Sequence, residues 1–165
     1  MFFRLTPSIS RRRKAGRDRR AGSSILEMLC VLAIIAIFAA AGTPRFAKAV
    51  AARRADAAAR RLAADLEWLR STARTTSTTQ SMSFSGNSYN LTGFTNLDMP
   101  GTAYSVNLAD TTYKAAIAAL NFNGATTLSF NGYGIPSVGG TIVVQSGKST
   151  RTVTIDATSG LITWQ

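Results

Sequence analysis

Apolar and polar positions follow three different rules along this chain. From residue 23 to 42 the run SSILEMLCVLAIIAIFAAAG is apolar on every face and is broken by one carboxylate, Glu27. A helix of about 20 residues rises about 30 Å, the thickness of a bilayer's hydrocarbon core, so a spanning helix is predicted here. From 45 to 74 the chain turns to alanine and arginine, without glycine or proline, and Leu62, Leu66, Leu69 and Ala73 recur at helical spacing. That stripe predicts an amphipathic helix lying on a folded domain. Asp56 with Arg60 and Arg61 with Asp65 stand four apart and are expected as ion pairs on the wet side. Pro44 separates the two parts and is expected to kink or loosen the helix, because it removes an amide donor and crowds the preceding turn.

After Arg74 the polar stretch TTSTTQS marks a change to Thr, Ser, Asn, Gly and β-branched residues in short alternating runs. Strands are predicted over SMSFS, SYNLTGF, TAYSVNL and TLSF, with turns at Gly86-Asn87, 98–101 and Asn123-Gly124. Residues 112–122 (TYKAAIAALNF) suit either a short helix or a strand, and strand is preferred. TIVVQ and TRTVTID form a hairpin about Gly147-Lys148, and LITWQ adds a last strand. Trp164 is expected in the core and Arg151 in solvent. The predicted class is therefore α+β: a long N-terminal helix, transmembrane and then amphipathic, followed by a small antiparallel β-sandwich-like domain. The expected divisions are a basic leader over 1–22, the spanning helix over 23–43, the amphipathic helix over 44–74 and the β-rich domain over 75–165.

Charge changes the picture only once it is mapped. The formal net charge of +11 is concentrated at one end: residues 1–22 hold eight Lys/Arg and one Asp, residues 23–74 eight basic and four acidic groups, and residues 75–165 three of each. A neutral domain lacks the electrostatic footprint of a phosphate binder, so the basic run RRRKAGRDRR reads as a topology signal that stays cytoplasmic. Arg53, Arg54, Arg60 and Arg61 read as a solvated helix face, not a nucleic-acid site. There is no histidine, and one cysteine, Cys30, lies inside the apolar run. Common zinc sites and Ser-His or Cys-His nucleophile pairs therefore have no residues to build them, and no cofactor or metal is expected. Asp98, Asp110 and Asp156 fall in separate turns, where Asp is favoured for local backbone bonding, and this reading is preferred to a loop calcium site. No constellation suggests catalysis.

An ionisable group among lipid tails costs from about 3 kcal/mol upwards and is a functional candidate by default. A conventional signal peptide cut near Ala39-Ala40-Ala41 gives Glu27 no role, and the Arg11-Arg12 pair lies in a region so rich in arginine that it is a weak twin-arginine signal. A permanent anchor, with Glu27 reaching the interface, is a second alternative. The third accounts for the carboxylate: Gly22-Ser23-Ser24-Ile25-Leu26-Glu27 resembles the type IV prepilin cleavage motif. Counted from Ser23, Glu27 falls fifth and Pro44 twenty-second, where type IV pilins and pseudopilins carry glutamate and proline; Ser23 stands where they usually have phenylalanine. The resemblance implies cleavage between Gly22 and Ser23 by a prepilin peptidase, N-methylation of Ser23, and a filament-assembly role for Glu27.

The segment FNGYGIPSVGGTIVVQSGKSTRTVTIDATSGLITWQ also resembles the C-terminal pattern of the GspH/FimT group of minor pseudopilins and pilins. That resemblance implies a non-enzymatic subunit of the type II secretion pseudopilus, held in the inner membrane with its C-terminal domain in the periplasm. The implied partners are other pilin-like subunits, the inner-membrane assembly platform, the prepilin peptidase and membrane lipid. A type IV pilus minor pilin of the FimT kind is the alternative. FimT-type pilins implicated in DNA uptake carry arginines after the last glycine, whereas this chain has Gly160-Leu161-Ile162-Thr163-Trp164-Gln165, so DNA is not an expected partner.

Overall fold

The computed structural model of the 165-residue chain describes residues 24–96 and 99–165, with residues 40–44 described by their backbone alone. The basic leader lies outside the described residues. One helix, α1 (Ile25–Thr76), is followed by eight strands: β1 (Gln80–Ser85), β2 (Ser88–Thr95), β3 (Ala103–Asn107), β4 (Ala116–Asn121), β5 (Thr127–Phe130), β6 (Gly140–Ser146), β7 (Ser149–Ile155) and β8 (Ile162–Trp164). The chain divides into two compact units, the second running Ala40–Gln165. The alternating sequence runs all become strands, and the ambiguous stretch 112–122 contains β4.

The strands form two antiparallel sheets, ordered β3-β2-β1-β5 and β4-β6-β7-β8. Alternation sets the faces: Met82 and Phe84 of β1, Tyr89 and Leu91 of β2, Ile142 and Val144 of β6, and Val153 and Ile155 of β7 are buried, with more exposed residues between them. Leu62, Leu66, Leu69 and Ala73 of α1 are fully buried in the same cluster. The helix is thus part of the core on which both sheets close, which is why its stripe reads so clearly. Each leucine buried there contributes about 1.5–3 kcal/mol relative to exposure.

Arg70, one turn beyond Leu66, ties two loops to the helix. Its Nη2 donates to the Ser159 carbonyl (2.8 Å), its Nε to the Gly134 carbonyl (3.2 Å), and its Nη1 lies 3.5 Å from Glu67. The Asp156 carboxylate folds the second loop by accepting bonds from the amides of Ser159 and Thr158 and from the Ser159 hydroxyl; the Ser159 amide foremost, these donors hold its pKa below the ordinary carboxylate value. Gly160 completes this loop at φ +66°, and a Cβ there would stand 2.4 Å from the Gly134 carbonyl oxygen. Gly160→Ala is therefore expected to cost at least about 2 kcal/mol, combining left-handed backbone strain with displacement of the clamped loop. Denaturant unfolding of the detergent-solubilised chain measures it, and an unchanged midpoint would remove the clamp's energetic importance.

Candidate assembly site

Every described side chain from Ser24 to Ala39 is exposed, including Ile25 at 82% and Phe38 at 74%. Water does not tolerate so long a run of bare aliphatic side chains, so this helix is built to be covered by lipid or protein. Glu27 lies in the first turn of α1, where the Ser24 carbonyl accepts from the amides of Glu27 (2.9 Å) and Met28 (3.1 Å). Among the described residues Glu27 has no ion-pair partner. Gly22 and Ser23 lie outside the described residues. Helix continues through position 44, whose side chain is not described. Among the described residues no helix is long and apolar enough to cross a membrane; the span read from sequence over 23–43 begins and ends beyond the described side chains.

On the second unit, the expected pairs form at 3.0 Å (Arg60–Asp56) and 3.3 Å (Arg61–Asp65), but Asp65 is not on the wet side. It is buried, and its Oδ2 accepts from the hydroxyls of Tyr89 (2.6 Å) and Tyr104 (2.9 Å). Burial, then Asp65, pushes the Tyr89 pKa well above the ordinary phenol value; burial and the hydrogen bond to Asp65 push Tyr104 up to about 12. The missed signal was available, since Asp65 stands three residues after Leu62 and four before Leu69, on the stripe itself.

Two further expectations fail, one through the strand face and one through the sheet's edge. Arg151 is in phase with the buried Val153 and Ile155, so it points towards α1 and pairs with Asp56 at 3.4 Å. Trp164 stands opposite Val153, but on a three-residue strand at the sheet's edge, where it stays 40% exposed beneath the Arg60 guanidinium, 4.6 Å from its ring centroid. Across the helix, Trp68 meets Phe94 and Tyr104 edge-on at 4.6 and 5.4 Å, an aromatic cluster that the sequence did not announce. Among the described residues no three His, Cys, Asp or Glu side chains gather to hold a metal. Asp110 and Asp156 each serve their own turn, and Asp98 lies outside the described residues.

Residues 58–159 match the family described as Type II transport protein GspH. Among curated proteins nothing matches. Two crystal structures of the type IV minor pilin FimU from Pseudomonas aeruginosa strain PAO1 share the fold, at TM-scores of 0.50 and 0.51 and 17% and 16% identity. The matches cover 67% and 68% of this chain and 91% and 89% of those chains. With more than half its length matched, and with a helix and two antiparallel sheets arranged as in a minor pilin, the chain belongs to the GspH family of minor pseudopilin-like proteins.

Proposed function

We propose that this chain is a non-enzymatic minor subunit of a type II secretion pseudopilus, anchored first in the inner membrane and then drawn into the filament by its N-terminal helix. The observation that carries the reading is the exposed apolar helix 25–39 with a single carboxylate, Glu27, in its first turn. Hydrolysis of the Gly22–Ser23 peptide bond by a prepilin peptidase would free the Ser23 α-amino group, which is then methylated. A cationic amine and Glu27 of the adjoining subunit neutralise one another in a medium where either alone is costly. Register follows from that pairing.

The experiment is mass spectrometry of the mature N-terminus in cells that hold the peptidase. The expected product begins with N-methyl-Ser23, and Gly22→Val blocks its formation, because a Cβ-branched residue obstructs the extended backbone a protease cleft requires. A protein that keeps the leader, or that begins near Gly42, overturns the reading. The fold shared with FimU supports a second placement, as a minor pilin of a type IV pilus. Co-isolation with pilus or with pseudopilus fractions separates the two.

A further inference from the structure

We propose that Asn123 is a modification site, converting spontaneously to aspartate and isoaspartate through a cyclic imide, and that the fold withholds the same reaction from Asn131. In this chain only these two asparagines precede a glycine, whose missing Cβ leaves its amide nitrogen the least hindered nucleophile. Both follow a phenylalanine, as Phe122-Asn123-Gly124 and Phe130-Asn131-Gly132, so the local sequence does not choose between them. Both asparagines are exposed, so access does not choose either. Their anchoring does.

Asn123 and Gly124 stand at φ +51° and +85° in the turn between β4 and β5. A backbone bond closes that turn, from the Ala125 amide to the Phe122 carbonyl at 3.0 Å. The Asn123 carboxamide makes no hydrogen bond among the described residues, and nothing stands within 4 Å of where a Cβ on Gly124 would lie. Other asparagine side chains are occupied: Asn87 holds the Ile117 amide, Asn107 the Ala109 amide and Asn121 the Thr141 hydroxyl. Asn131 is held hardest. Its Oδ1 accepts from the amides of Tyr133 and Ile135, both at 3.0 Å, and its main chain exchanges bonds with the Ile135 carbonyl (3.0 Å) and the Gly134 amide (2.8 Å). Gly132 is packed so closely that a Cβ there would stand 2.8 Å from the Ser77 carbonyl.

For reaction at Asn123, the Gly124 nitrogen swings onto Cγ. The N–Cγ bond forms, the Cγ–Nδ2 bond breaks, and the Gly124 amide proton leaves with Nδ2 as ammonia. Solvent water then opens the imide, at Cγ to give aspartate or at the main-chain carbonyl carbon to give isoaspartate. At Asn131 the same swing must first break both bonds to Oδ1 and lift Gly132 from Ser77. Either product at position 123 places a new carboxylate on a groove of about 870 Å³ that Asp156, Thr141 and Leu161 also line. Residues 75–165 hold three basic and three acidic groups, so a neutral domain becomes net negative.

The test ages the full-length chain, in detergent and mildly alkaline heavy-oxygen water, and localises mass changes by peptide fragmentation. The expected result is a gain of about 3 Da at position 123, with position 131 lagging by about tenfold or more. In guanidinium chloride the two sites are expected to convert at similar rates, because only the fold distinguishes them. Equal rates in the native chain, faster gain at Asn131, no gain at Asn123, or a difference that persists after unfolding each overturn the proposal.

Discussion

Asp65→Ala is expected to destabilise the folded unit by about 3 kcal/mol, the largest single-residue effect on its stability among those considered. The figure does not come from the ion pair. Arg61 is 44% exposed, so its salt bridge contributes at most about 1 kcal/mol. It comes from the buried Tyr89 hydroxyl and its neighbour Tyr104, which lose a charged acceptor; each buried hydroxyl left without one costs about 1–3 kcal/mol. Asp65→Asn keeps an acceptor and is expected to cost about 1 kcal/mol. A double-mutant cycle with Tyr89→Phe should show that the two losses overlap, and full additivity in denaturant titrations would reject the shared bond. The sign in alkali follows from the raised phenol pKa values: the tyrosines contribute fully below about pH 10, their unfolded value, and that contribution is lost as pH rises through about 12, where Tyr104 ionises.

Glu27→Ala is expected to leave cleavage after Gly22 largely intact while lowering recovery in filament fractions by about tenfold or more, since an unpaired amine in lipid costs several kcal/mol. Glu27→Gln separates charge from shape, and equal loss for both variants is the expected result. If Glu27 merely reached the interface, either neutral side chain would improve insertion and filament recovery would stay at the wild-type level. Quantitative immunoblots of membrane and filament fractions decide between these outcomes.

What the sequence disclosed, and what it hid, has a physical pattern. Local period sufficed for the elements: every alternating run became a strand, because one face of each lies on the core and the other meets water. Even AIAALN, whose alanines suit a helix, became edge strand β4, held by its register with β6 and not by its own propensity. The errors arose where two elements meet. Asp65 looked wet because its i−4 partner Arg61 is wet, yet two tyrosines from β2 and β3, far off in sequence, close over it. Arg151 is expected in solvent, yet its phase with Val153 and Ile155 aims it at Asp56 on the helix. Trp164 shares the inward phase, but an edge position withholds full burial, and no local pattern reveals which strand is outermost. For the candidate site, Gly22, Ser23, Glu27 and Pro44 stand as an expectation read from a spaced motif, and of these Gly22 and Ser23 lie outside the described residues.

Because the helix supplies part of the core, closure is a long-range event. Asp56 and Arg151 meet across 95 residues of chain, and β8 joins its sheet only within the last few residues before Gln165. Such distant pairing is slow to form. The leucine stripe, synthesised early, must therefore wait for the final strand before it is sealed. During that interval a nascent subunit displays sticky surface to its surroundings, which makes it a natural client for holding factors and for quality-control proteolysis until β8 has paired.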